Sequence, residues 1–327
     1  MKSIKSRKAL ITCEVTPEFL SAIKERGIEY SLAGWGQTGQ ELEANSIVEI
    51  AKDCELIIAE IENMSESVLK ELPNLRFLGV SRGSPVNVDL NYCAANQITV
   101  VNTPGRNGDS VADYCLAMIL NLSRNLVRSK GHLNQHGWMF DGKLPYLEFR
   151  GRELRNLTVG LYGFGQIGVR VAKRLKDGFG SKVLYFDPFV KNSTHAKPVY
   201  SLEELFEASD VISLHAPVVD STKNSVNRAL LQKLGREGLI ISSARAGLIV
   251  EEDLYQAVTK GEIAGAALDV YWNEPLEKSS RWLALDNVIC TPHIAGASSD
   301  VVANHCDMIL RGIDEWLRKV NQQKELA

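Results

Sequence analysis

Short apolar runs alternate with amphipathic stretches along nearly the whole chain. Runs at 9–15, 55–59, 75–80 and 98–101 predict strands, and helical periodicity at 16–26, 41–52 and 65–71 fills the gaps. Such alternation predicts a parallel sheet. Asn102-Thr103-Pro104-Gly105 breaks the pattern. A long helix is expected from Asp109 or Ser110, with Val111, Cys115, Ile119, Leu122 and Leu126 forming one core-facing stripe. Residues 132–156 carry glycines and aromatics without a clean period, which predicts an extended arm or subunit contact. Alternation then resumes, with strands expected at 158–162, 183–186, 211–214, 239–242, 264–270 and 288–291. Helices are expected between them at 201–208, 228–234 and 251–259. The last helix, from about Ser299 to Lys319, turns Val302, Ile309, Ile313 and Leu317 inward and is expected to return to the first domain.

One stretch carries specific chemistry. The run Thr158 to Tyr162 enters Gly163-Phe164-Gly165-Gln166-Ile167-Gly168, and a helix follows with Ile167, Val171 and Leu175 on one face. A second apolar run, Val183 to Phe186, ends at Asp187. This is the strand, Gly-x-Gly-x-x-Gly turn, helix, strand, acidic residue order that binds dinucleotides. Gly163 allows a tight turn, Gly165 removes the Cβ that would hold a pyrophosphate off the backbone, and Gly168 lets helix and strand pack closely. The helix N-terminus offers N–H groups and partial positive charge to phosphates. Asp187 is suited to both ribose hydroxyls and repels a 2′-phosphate, so NAD is expected over NADP. The first α/β region has no such glycine pattern and is expected to bind no nucleotide of its own.

Composition narrows the class. A chain of 327 residues predicts two domains. With 37 Lys and Arg against 40 Asp and Glu, the net charge of −3 leaves no electrostatic footprint for nucleic acid. No apolar run reaches the roughly 20 residues of a membrane span, and the basic start is followed by too few apolar residues for a signal peptide. The six cysteines are scattered, which predicts buried thiols in a reducing, cytoplasmic compartment. His132, His136, His195 and His305 show no metal spacing, and no metal is expected.

Three ionisable residues stand just beyond predicted strand ends: Arg245, Glu274 and His293. Carboxyl ends of strands line the ligand crevice of a doubly wound sheet. Singly each could be ordinary, a surface arginine, a turn glutamate and a satisfied histidine. Together, downstream of a cofactor turn, they predict catalysis.

These residues also carry a resemblance. Asn102-Thr103-Pro104-Gly105, the glycine turn with Asp187, Leu214-His215-Ala216-Pro217, Ala244-Arg245, Ala267-Leu268-Asp269-Val270 with Glu274-Pro275, and Thr291-Pro292-His293-Ile294-Ala295-Gly296 occur in one order. From about Leu75 onward the chain resembles the D-isomer-specific 2-hydroxyacid dehydrogenases, which include phosphoglycerate dehydrogenase and glyoxylate/hydroxypyruvate reductases. The resemblance implies two Rossmann- or flavodoxin-like parallel-sheet α/β domains. An NAD-binding domain (106–296) would be inserted into a discontinuous substrate domain (1–105 with 297–327), with domain closure over a small 2-hydroxy or 2-keto acid and assembly as a homodimer.

The resemblance further implies roles. Arg245 binds the substrate carboxylate and keto oxygen, His293 is the acid/base, and Glu274 holds its imidazole. Asp269 takes the nicotinamide carboxamide, while His215, Ala216, Pro217 and Ala244 lie along the cofactor. Ser81, Arg82 and Gly83 begin the substrate loop, which is shorter than the family's usual one, and Ser84-Pro85 there removes an N–H donor. Ala246 and Ser242 stand where glycine and asparagine are common. The chain continues only briefly past its last predicted helix, which disfavours a phosphoglycerate dehydrogenase carrying a regulatory domain; a sugar-derived acid suits the polar loop better. An NAD-sensing corepressor on the same fold is the rival reading.

Overall fold

The computed structural model describes residues 6–325, which form two compact units: residues up to Asn107 together with those from Ser298, and Gly108–Ala297. In the first unit, β1 (Arg7–Ile11), β2 (Ile28–Leu32), β3 (Leu56–Ala59), β4 (Phe77–Val80) and β5 (Thr99–Asn102) form one sheet in the order β2-β1-β3-β4-β5. Every neighbouring pair is parallel. Strands β3 and β4 are buried at every position, and a parallel strand covered on both faces reads as a continuous apolar run. Side chains alternate across the sheet. Leu10, Ile57 and Leu78 enter one core cluster, whereas Ile11, Ile58 and Phe77 enter the other.

The final helix, Ser299–Glu325, covers the second of these faces. Ile309 and Ile313 are fully buried, and the Trp316 ring lies 5.5 Å from that of Phe77. Arg26 grips Asp314 through two hydrogen bonds of 2.7 and 2.8 Å, fixing the helix to the end of the Pro17–Glu25 helix.

The second unit has β6 (Thr158–Tyr162), β7 (Lys182–Phe186), β8 (Lys197–Pro198), β9 (Val211–Leu214), β10 (Leu239–Ser242), β11 (Gly265–Leu268) and β12 (Val288–Cys290). Their order is β12-β11-β10-β9-β6-β7-β8, again all parallel. The order reverses between β6 and β9, which is where an open α/β sheet forms its crevice. The carboxyl ends are in register across six strands. Phe186, Tyr162, Leu214, Ser242, Leu268 and Cys290 are successive Cα partners. The residue after each is therefore delivered to one edge: Asp187, Gly163, His215, Ser243, Asp269 and Thr291.

Local expectations fail at three places. Strand β2 was not anticipated, because only Ile28 of its five residues is buried and an edge strand shows little periodicity. Leu126 does not continue the stripe of the preceding helix. That helix, Gly108–Ser123, ends before Asn125 at φ +54°, and Leu126 opens a new helix, Leu126–His136, with its side chain exposed. That second helix also replaces the first part of the expected irregular arm. Among the described residues, no helix is long and apolar enough to cross a membrane.

Candidate active site

The glycine turn is built as its residue types require. Gly163 has φ +93°, and a Cβ there would lie 2.5 Å from the Ala216 nitrogen, so glycine is needed both for the turn and for the approach of the segment after β9. At Gly168 a Cβ would meet the Gly163 carbonyl oxygen at 2.5 Å, which fixes how closely the helix Gln166–Phe179 packs. Gly165 differs. Its φ of −76° suits any residue, and a Cβ would meet nothing within 4 Å. Protein packing does not require that glycine, whereas a phosphate approaching the helix N-terminus does. The residues present thus fit a dinucleotide.

Asp187 completes this half of the site. One carboxylate oxygen accepts the Phe164 N–H at 2.8 Å, and the other accepts those of Phe189 and Val190 at 2.9 and 3.2 Å. The carboxylate is therefore fixed against the glycine turn. The Phe164 ring is buried and stacked on Tyr185 at 3.9 Å, so only the backbone of that residue faces the turn. Gln166 uses its side-chain oxygen on Arg170 at 2.8 Å, and Ile167 packs against the core. His215 bonds Ser213 at 2.9 Å through Nε2, and burial pushes its pKa down to about 4, so its ring is neutral. Ala216 is buried, and Pro217 is exposed beside it.

Three strands supply the ionisable groups. Arg245 follows β10, is exposed, and donates to its neighbour's carbonyl, that of Ala244, at 2.7 Å. Glu274 follows β11, and one of its oxygens accepts the Tyr271 N–H at 2.9 Å. Its other oxygen lies 2.8 Å from Nδ1 of His293, which follows β12. The Glu274–Pro275 peptide is cis. Partial burial alone would raise the Glu274 pKa. The hydrogen bonds from His293 and Tyr271 and the charges of His293 and Arg245 outweigh it, and the net shift is downward. Glu274 is thus a carboxylate at neutral pH, and Arg245 is close enough to act on it.

Two expected residues are buried. Asp269 has no exposed surface. Its carboxylate accepts the Thr291 hydroxyl at 2.6 Å and the N–H groups of Ile294 and Ala295 at 2.8 and 2.7 Å. It holds the loop carrying His293. Ser81 is also fully buried, and its N–H bonds the Ala59 carbonyl at 2.8 Å, extending the strand ladder. Arg82 and Gly83 lie on the loop after β4, with their carbonyls tied to the Thr103 N–H at 2.9 Å and the Asn102 side chain at 2.8 Å. Asn87 staples the far end of that loop to the Glu60 and Glu62 carbonyls at 3.2 and 2.8 Å.

Sequence reasoning missed Tyr114 and Tyr271. The Tyr271 hydroxyl reaches the Leu268 and Thr291 carbonyls at 3.0 and 2.9 Å, bracing the two strand ends beneath the Glu274–His293 pair. Nothing in the spacing of either tyrosine signals such a role.

Residues 116–295 match the family described as D-isomer specific 2-hydroxyacid dehydrogenase, NAD binding domain. A hydroxypyruvate reductase from Thermotoga maritima is 32% identical over 80% of this chain and 85% of its own length. A D-3-phosphoglycerate dehydrogenase from Methanocaldococcus jannaschii is 32% identical over 93% of this chain, which spans 58% of that longer protein. Among solved structures, an NADPH-dependent glyoxylate/hydroxypyruvate reductase from Sinorhizobium meliloti matches with a TM-score of 0.77 at 28% identity, covering 95% of both chains. The chain belongs to the D-isomer-specific 2-hydroxyacid dehydrogenase family. It is an oxidoreductase of 2-hydroxy and 2-keto acids that uses a nicotinamide dinucleotide.

The glycines yield a contrasting pair of variants. Gly163→Ala should lose about 1–3 kcal/mol of stability through strain and overpacking, together with NADH binding. Gly165→Ala should keep the wild-type Tm yet bind NADH at least about tenfold more weakly, since that factor needs only ~1.4 kcal/mol. Denaturation curves and fluorescence titrations with NADH check both.

Proposed function

We propose that this protein is an NAD-dependent dehydrogenase that interconverts a D-2-hydroxy acid and its 2-keto acid, acting as a homodimer. The observation that carries the proposal is the 2.8 Å pairing of His293 with Glu274, at strand ends in register with the one that supplies Arg245. Arg245 presents a planar set of donors suited to a carboxylate and to the adjacent keto oxygen; charge-assisted bonds of this kind are worth about 1.5–3 kcal/mol. Glu274 occupies Nδ1 of His293 and leaves Nε2 for the substrate. The carboxylate orients the imidazole, whose Nε2 donates a proton to the keto oxygen during reduction and regains it during oxidation. A bound nicotinamide supplies or accepts the hydride.

The turn 163–168 holds the pyrophosphate, and His215, Ala216, Pro217 and Ala244 lie along the cofactor in this reading. Asp187 accepts the ribose hydroxyls. Because three N–H groups fix its carboxylate, it cannot swing away from a 2′-phosphate, which supports NAD over NADP. In this respect the protein is proposed to differ from its NADPH-dependent relative. Arg82 is proposed to contact a polar group of the substrate, and the polar loop around it supports a sugar-derived acid.

The homodimer rests on an exposed apolar run. Trp138, Leu144, Tyr146 and Leu147 are 66%, 68%, 78% and 71% exposed. A cluster of large apolar groups of this kind marks a contact surface. The six free thiols support a reducing, cytoplasmic setting.

Replacing His293 by alanine should lower kcat by at least about 10²-fold, the usual worth of a general acid, while NADH still binds; near-wild-type turnover would remove His293 from the mechanism. In Glu274→Gln the charge-assisted hydrogen bond that orients the imidazole is lost. The kcat for keto-acid reduction should then fall about tenfold, the effect of losing one hydrogen bond to a charged group, and an unchanged kcat would dismiss the pairing. NADH should exceed NADPH in kcat/KM by at least about tenfold, equivalent to ~1.4 kcal/mol. Equal values for the two cofactors would contradict the role of Asp187.

A further inference from the structure

The sheet of the first unit reverses its strand order between β1 and β3, and open α/β sheets take ligands at the carboxyl ends beside such a reversal. Glu60 immediately follows β3 there. Its Oε1 is ion-paired with Nη2 of Arg106, on the segment after β5. The Glu60 and Arg106 side chains keep an exposed margin of 16% and 17%. The pair is braced from its buried side. Nη1 of Arg106 lies 2.9 Å from Nδ1 of His305, a buried residue of the final helix. The Arg106 carbonyl accepts the Asn304 side chain at 2.9 Å, and its N–H donates to the Thr103 carbonyl at 3.3 Å. The Glu60 N–H donates to the Glu62 carboxylate at 3.4 Å. That fully buried carboxylate also accepts the Thr12 hydroxyl at 2.6 Å and the Trp35 N–H at 3.2 Å.

A guanidinium only donates, so Nδ1 of His305 accepts, and Nε2 donates to the Glu14 carbonyl at 2.8 Å. Burial pushes the pKa of this ring down and the Arg106 charge adds to the shift, so the ring contributes no charge. At its exposed margin the ion pair therefore presents acceptors and donors side by side without net charge. A hydroxyl group both donates and accepts, and it matches such an edge. A phosphate brings its charge against the Glu60 carboxylate, and an alkyl tail would desolvate the pair without replacing its bonds to water.

We propose that Glu60 and Arg106 read hydroxyl groups on the tail of the 2-keto acid, with His305 as a positioning residue that holds Arg106 for this task. The proposal rests on the protein being a 2-hydroxyacid dehydrogenase and deepens that reading. Its substrate is a polyhydroxylated acid, neither phosphorylated nor alkyl.

Steady-state rates of NADH oxidation test it with two pairs of acids. The first is 2-keto-D-gluconate against 2-ketohexanoate, which has the same carbon chain without hydroxyls; the second is hydroxypyruvate against phosphohydroxypyruvate. In the wild type, kcat/KM should favour 2-keto-D-gluconate over 2-ketohexanoate by at least about tenfold, the worth of one hydrogen bond to a charged group. Glu60→Gln keeps the shape, removes the carboxylate and unmasks the Arg106 charge. That preference should then fall about tenfold, while kcat/KM for phosphohydroxypyruvate rises several-fold, a gain that a damaged fold does not produce. His305→Phe keeps a ring and removes the bond to Arg106. It should raise KM for 2-keto-D-gluconate about tenfold with a much smaller change in kcat.

Equal wild-type kcat/KM for the two six-carbon acids would overturn the proposal, as would an unchanged preference in Glu60→Gln. A loss on phosphohydroxypyruvate matching that on 2-keto-D-gluconate would overturn it too, since the variant would then be damaged without any change of selectivity. An effect of His305→Phe confined to kcat would overturn the positioning role. Failure of the wild type to oxidise NADH with any of the four acids would dismiss the dehydrogenase reading and the proposal with it, whereas turnover without preference would dismiss the proposal alone.

Discussion

The register of the seven-stranded sheet is the constraint on which the site in the second unit depends. Six neighbouring strands end on the same row, from Phe186 through Tyr162, Leu214, Ser242 and Leu268 to Cys290. Three of its inner strands, β9, β10 and β11, are buried at every position, so the row is held inside the packed sheet. Everything placed immediately beyond it inherits a common edge. Asp187 and Gly163 meet there at one side of the reversal in strand order, and Arg245, Glu274 and His293 follow the three strands on the other side. Residues far apart in the chain thereby become neighbours without a long loop to organise them.

Energetics separate the parts of this edge that serve stability from those that serve chemistry. The Glu274 and His293 side chains are 37% and 50% exposed, and a pair that open contributes only about 0–1 kcal/mol to folding. Stability gives little reason for that pair to exist. Asp269 is the opposite case. It is fully buried, and its worth lies in satisfying backbone donors that would otherwise be stranded. Between these extremes lies the glycine turn, where Gly163 and Gly168 answer to protein packing and Gly165 to a ligand.

How far the sequence was legible follows from what each residue does. The turn at 163–168 could be read because its glycines are required by backbone geometry, which leaves a local signature. Arg245, Glu274 and His293 could be read from their place after strand-like runs, since a parallel sheet converts sequence position into spatial position. Strand β2 was hidden because an edge strand buries too little to show a pattern. Leu126 misled because hydrophobic spacing continues smoothly across a break that Asn125 makes by adopting positive φ. Asp269 and Ser81 are both fully buried, a property that their place just after strand-like runs does not reveal. Tyr114 had no local signal, because its partner Thr291 is remote in sequence and only the fold joins them.

The central claim is that this edge reduces a 2-keto acid by proton donation from His293 beside a nicotinamide. The most direct test follows NADH oxidation against glyoxylate, hydroxypyruvate, phosphohydroxypyruvate and a set of sugar-derived keto acids, with product configuration determined by chiral chromatography. The account predicts turnover of at least one of these acids, with the D isomer as the product wherever a stereocentre is formed. Absence of NADH oxidation across the whole set, or formation of the L isomer, would contradict it.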